Sequence, residues 1–225
     1  VILYDEHTWG AHCSVSQPDS PFTQSQWAIK QAFALEATRL SEKLLERAMT
    51  SDKAKGEDTA LTVFKTTSWP RTGLVVVPAK TATPGSIVRY RGNEPVRQQR
   101  LSTGELAFLA ADVPAFGAKQ FIVEAGDTKA TGTVRAEGNK LSTAGLSVTV
   151  DEKTGGIASL TRQGIAANLV DAKDGEGLND YIYVPGRNSR RAAGNGPVTI
   201  QVKECGPLVA SLLVESDAPA RRRVA

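Results

Sequence analysis

The sequence predicts an α+β chain: one long amphipathic helix of a helical bundle, followed by mainly antiparallel β-sandwich domains. Three observations lead there. Residues 20–50 carry apolar side chains at helical spacing. From about residue 60 onward, short apolar runs alternate with Gly, Pro, Asn and Asp, as hairpins require. Glycine totals 20 and proline 11, and most of both fall in that second part, which favours antiparallel sandwiches over a parallel sheet.

The helix has a defined start. Ser20 suits the N-cap, and Pro21 suits the first helical position, where a missing N–H costs nothing. Phe22, Ile29, Phe33, Leu40 and Leu44 then recur at steps of seven and four and share one face. Glu36, Arg39, Glu42, Lys43, Glu46 and Arg47 fall largely on the other side. One such helix cannot bury its stripe alone, and the chain offers no second long one. Residues 51–59 hold no apolar side chain larger than alanine and read as a solvated linker. Strands are expected at 61–64, 74–77, 87–90, 106–110, 119–123, 146–150, 157–161, 181–184, 198–202 and 208–214. Between the sixth and seventh, Asp151-Glu152-Lys153-Thr154-Gly155-Gly156 reads as a hairpin turn, with Gly155 or Gly156 taking positive φ.

Composition narrows the function classes. The chain has 225 residues, of which 40% are hydrophobic and 23% charged, ordinary values for a soluble globular protein. Lys and Arg number 27 against 24 Asp and Glu, and a net charge of +3 does not call for nucleic acid. The arginine groups, Arg187 with Arg190 and Arg191, and Arg221 to Arg223, read as solvated surface. No run of about 18 uncharged apolar residues points to a membrane span. The opening on Val1 and the close on a basic, irregular tail read as a piece cut from a longer protein, so targeting signals are undecidable; a cytoplasmic setting is favoured. Cys13 and Cys205 are compatible with a disulfide or with two free thiols, the plainer reading.

Both histidines, His7 and His12, sit in one stretch with Asp5, Glu6 and Cys13. Imidazole, thiolate and carboxylate all bind a zinc-like ion, although the spacing matches no self-contained zinc motif. Val1–Tyr4 reads as a buried strand, and the polar cluster begins where it ends, the edge at which α/β enzymes bind ligands. The alternative is that these groups cap the strand end. There is no Gly-rich phosphate loop opening a helix and no Gly-x-Ser-x-Gly elbow.

Five blocks in order, "YDEHTWGA", "SPFTQSQWAIKQAFALEA", "VFKTTSWPRTGLVVVP", "VDEKTGGIASL" and "GLNDYIYVPG", resemble bacterial α-mannosidases of glycoside hydrolase family 38. The resemblance implies an internal piece of a multidomain enzyme. Residues 1–19 would end the catalytic β/α domain, 20–50 would be one helix of a three-helix bundle, and 51–59 a linker. Residues 60–137 would form a small β domain, and 138–225 the start of a large, truncated, galactose-mutarotase-like sandwich. Members of the family are retaining, zinc-dependent exo-α-mannosidases that hydrolyse terminal α-linked mannose. Retention needs two carboxyl groups about 5 Å apart across the scissile bond. The nucleophile and the first zinc ligands would lie upstream of Val1, so this stretch supplies no catalytic residue and is expected to be inactive alone. His7 resembles the family's last zinc ligand. Thr8 follows it where relatives carry an Asp that contacts sugar, leaving Asp5 or Glu6 as the replacement. Tyr181 resembles a sandwich tyrosine that reaches the sugar pocket; a half-buried strand tyrosine is the alternative. The implied partner is an α-mannoside glycan, with neither nucleic acid nor membrane, and homo-oligomerisation is left open. Two non-enzymatic readings stand beside this one: a carbohydrate-binding sandwich and a purely structural one.

Overall fold

The computed structural model describes residues 12–50, 59–90, 96–127, 130–171, 177–184 and 188–217. They fall into two compact units, one drawn from Val1–Gly56 and Val184–Ala192, the other from Glu57–Tyr183 and Ala193–Ala225. The arrangement is α+β: one long helix, then several antiparallel sheets. Among the described residues, no helix is long and apolar enough to cross a membrane.

Helix α1 spans Pro21–Thr50. Ser20 caps it: its Oγ accepts from Thr23 N (3.2 Å), and its carbonyl accepts the first helical bond from Gln24 N (3.0 Å). Its Oγ also donates to Thr23 Oγ1 (3.0 Å), and Thr23 is fully buried. Replacing Ser20 with alanine strips both bonds from its side chain. The expected cost is about 1 kcal/mol, read as a lower midpoint when helix signal is followed by circular dichroism on heating. Along the predicted stripe, Phe22, Ile29, Leu40 and Leu44 are exposed and Phe33 is half-buried.

The second unit begins with two three-stranded antiparallel sheets. One has the order β1 (Ala60–Phe64), β6 (Ala118–Ala125), β3 (Ser86–Tyr90). The other has the order β2 (Arg71–Val77), β5 (Leu106–Val113), β4 (Gln98–Arg100). Period-2 alternation sorts their side chains: Val77 is buried and Val75 half-buried, whereas Leu74 and Val76 are exposed. The core between the sheets gathers Val88, Phe121 and Val123 from one and Val77, Leu106, Phe108 and Ala110 from the other. The rings of Phe108 and Phe121 meet at 4.9 Å across it. Full burial of side chains such as Phe108 and Leu106 contributes about 1.5–3 kcal/mol each.

Strand β4, Gln-Gln-Arg, carries no apolar residue, and sequence patterning left it unassigned. Its three side chains alternate between two tasks. Gln98, pointing one way, closes the sandwich: its Oε1 accepts from Val88 N (2.7 Å), and its Nε2 donates to Val88 O (3.1 Å). The carboxamide thus behaves like a peptide of a neighbouring strand, satisfying the outer edge of β3 where Val88 is fully buried. Arg100, two residues on, donates to the carbonyls of Ala82 (2.5 Å), Gly104, Thr83 and Ser86 (each 3.0 Å), tying the β2–β3 connection to the β4–β5 turn. Gln99 points the other way, to the C-terminal strands.

Those strands form a four-stranded sheet in the order β10 (Ile157–Arg162), β9 (Leu146–Val150), β8 (Lys140–Ser142), β7 (Arg135–Glu137). A hairpin of β11 (Val198–Cys205) and β12 (Ala210–Ser216) packs against β7, and β12 also meets β8. The three-residue strands β7 and β8 also escaped sequence patterning. Gln99 joins this part to the first sandwich: its Oε1 accepts from Leu208 N and Val209 N (both 2.8 Å), and its Nε2 donates to Val209 O (3.1 Å). Glu204 Oε1 adds a second tie, accepting from Ser102 N (2.8 Å) and Oγ (2.5 Å). Both cysteines are free thiols, and Cys205 Sγ donates to Ala136 O (3.3 Å).

The turn between β9 and β10 is built by Asp151. Its Oδ1 accepts from Lys153 N and Thr154 N (both 2.8 Å), and Gly155 takes φ +75°. The bonds from these two amides, Thr154 first, hold the Asp151 carboxyl below its ordinary value. A carboxyl depressed in the folded state contributes stability that is present above the unfolded carboxylate range and is lost as pH falls through the folded value. Stability should therefore decline on acidification below about pH 4, and Asp151→Asn should flatten that part of the profile, measured by denaturant midpoints across pH.

Candidate functional site

Asp5, Glu6 and His7 lie outside the described residues. His12 is described at the approach to α1. Its ring stands edge-on to Phe22 at 5.8 Å, and its carbonyl accepts from Gln26 Nε2 (3.5 Å). That is a packing role. Among the described residues no group of three or more His, Cys, Asp and Glu side chains is placed to hold a metal ion.

Tyr181 is described, and its surroundings differ from the strand expected there. Residues 181–184 form no ladder; Tyr183 alone makes a bridge, exchanging two 2.8 Å bonds with Ala193. The cause lies just upstream. Asn179 adopts φ +67°, a left-handed conformation that asparagine tolerates and that breaks an extended run. Leu178 meanwhile pairs with Ile157, its N–H and C=O bonding at 3.1 and 2.7 Å. Tyr181 therefore emerges from an irregular segment with its side chain 52% exposed, and Ile182 beside it is equally exposed.

Next to Tyr181 stands a residue that sequence reasoning passed over. Asp180 Oδ2 accepts from Gly177 N at 2.5 Å. Its Oδ1 is buried and has no hydrogen-bond partner among the described residues. Gly156 lies so close to that oxygen that a Cβ there would collide with it, and a Cβ on Gly177 would sit 3.2 Å away. This explains the division of labour in the Gly155-Gly156 pair: Gly155 turns the chain, and Gly156 makes room for the Asp180 carboxylate. No local signature marks Asp180 in the sequence, because its setting comes from a turn more than twenty residues earlier.

The site is thus an exposed tyrosine beside a half-buried carboxylate, on an irregular segment held against β10. An exposed ring can stack on a hydroxylated ligand, whereas the buried Asp180 Oδ1 is closed to one. No protein-family model matches the chain, and no curated protein matches it.

Proposed function

We propose that the described residues serve as a non-catalytic, structural β-sandwich module, set within a larger glycosidase of the retaining, zinc-dependent α-mannosidase type. In that setting the C-terminal sheets begin a galactose-mutarotase-like sandwich, and His7, with Asp5 or Glu6, is the chain's contribution to metal and sugar binding on the strength of the sequence resemblance. One observation carries the structural role: the buried polar side chains of the first sandwich, Gln98 and Gln99, bond to main-chain groups of other elements, as Arg100 does beside them. They fasten strands and loops together instead of facing a ligand space.

The exposure of Tyr181 favours carbohydrate binding as the second reading. Two measurements separate the possibilities. The full chain, incubated with a chromogenic α-mannoside and zinc, should release no chromophore; clear turnover would overturn the non-catalytic assignment. Titration with an α-mannose oligosaccharide should show no saturable binding. Binding that is lost in Tyr181→Ala would replace the structural role with glycan binding.

A further inference from the structure

The first sandwich holds a cavity of about 180 Å³ that both of its sheets line. Tyr90 of β3, Phe121 and Lys119 of β6, Thr72 of β2 and Arg97, just before β4, meet there. Phe121 is a buried wall, and Tyr90 is half-buried beside it, with ring centroids 5.8 Å apart. Lys119 is fixed in place: its Nζ donates to Ala111 O (2.8 Å) and sits 5.0 Å from the centre of the Tyr90 ring. An ammonium has three donors, so two are left. The Arg97 guanidinium has no ion pair or side-chain hydrogen bond among the described residues, and its five donors are available.

Among the described residues, no carboxylate lines this space. The acid bonded to a lining side chain is Asp112, whose Oδ1 accepts from Thr72 Oγ1 (3.4 Å) and whose N–H donates back to it (3.0 Å). Thr72 Oγ1 retains one lone pair for a ligand hydroxyl. Two cations facing one concave, partly apolar space concentrate positive potential there. The volume limits what fits. It equals the bulk share of about six waters and lies below the roughly 300 Å³ at which drug-sized sites begin.

We propose that this cavity binds a small organic anion with a hydroxylated ring, of the size and chemistry of a single uronic acid. The carboxylate would meet Arg97 and Lys119, the ring would lie against Tyr90 and Phe121, and a hydroxyl would donate to Thr72. Nothing in this site depends on the glycosidase reading.

The test is titration of the isotopically labelled full chain with glucuronate, mannose and inorganic phosphate, followed by amide shifts in NMR. Glucuronate should saturate shifts at Thr72, Lys119 and Phe121, with an affinity at least about tenfold above that of mannose. Arg97→Gln should weaken it by about tenfold or more, the loss expected for one charge-assisted contact, without moving the thermal midpoint, because the Arg97 side chain is exposed and the bond that Arg97 makes to the fold, from Leu109 N, goes to its main-chain carbonyl. Four results would each overturn the site: no saturable shifts, equal binding of mannose, phosphate binding as tightly as glucuronate (an adventitious ion only), or glucuronate binding unchanged in Arg97→Gln.

Discussion

Gln98→Leu should lower the stability of the β unit by about 3 kcal/mol, the sum expected for two backbone groups left without partners. Leucine fits the volume but offers no amide. Val88 would keep its buried N–H and C=O, and both would lose the bonds of 2.7 and 3.1 Å that Gln98 now supplies. Water cannot easily replace them at a residue with no exposed surface. For a unit of this size the cost corresponds to a fall of roughly 6–12 °C in thermal midpoint. Gln98→Glu gives a second reading of the same contact. It keeps the acceptor for Val88 N and loses the donor to Val88 O, so its cost should also be clear, and it should ease as the added carboxyl becomes protonated. Calorimetry of both variants beside the wild type measures this. A midpoint unchanged in Gln98→Leu would mean that the edge of β3 is satisfied without Gln98.

The same residues show where sequence reading succeeds and where it fails. Leu106–Ala110 and Leu74–Val77 were legible because burial imposes an apolar pattern on a strand. The cap at Ser20 and Pro21 was legible because capping is local chemistry, complete within four residues. Strand β4 was not legible, since its core-facing positions hold glutamines that act by hydrogen bonding over ten residues for Gln98 and about 110 for Gln99. Tyr181–Val184 has the composition of a strand, but Asn179 and the Leu178–Ile157 bridge turn the backbone first. Asp180 was invisible for a related reason: Gly177 bonds it locally, but the closest approach to its Oδ1 comes from the distant Gly156, which no chain neighbour announces. Local rules were readable wherever both partners of an interaction lie in one short window.

Gln99→Leu carries the same reasoning to the joint between the two β parts, with an expected cost of about 3 kcal/mol. Two main-chain N–H groups of the β11–β12 turn lose their partner, Leu208 N and Val209 N, and Val209 O keeps only its bond from Gly206 N (2.7 Å). That turn has little freedom to find substitutes. Gly206, at φ +83°, lies against the Val134 carbonyl so closely that even a Cβ would collide, and Val134 N already donates to Pro207 O (3.0 Å). The Ser102–Glu204 contact is exposed and survives the substitution, so it cannot make up for a buried amide. The loss should be local first. Amides of Leu208 and Val209 should exchange with solvent faster by one to two orders of magnitude, whereas Val88 and Val123 in the first core keep their protection. If all four amides lose protection equally, Gln99 is part of a single cooperative core. If Leu208 and Val209 alone respond, the glutamine is the fastener between two β parts that otherwise hold themselves together.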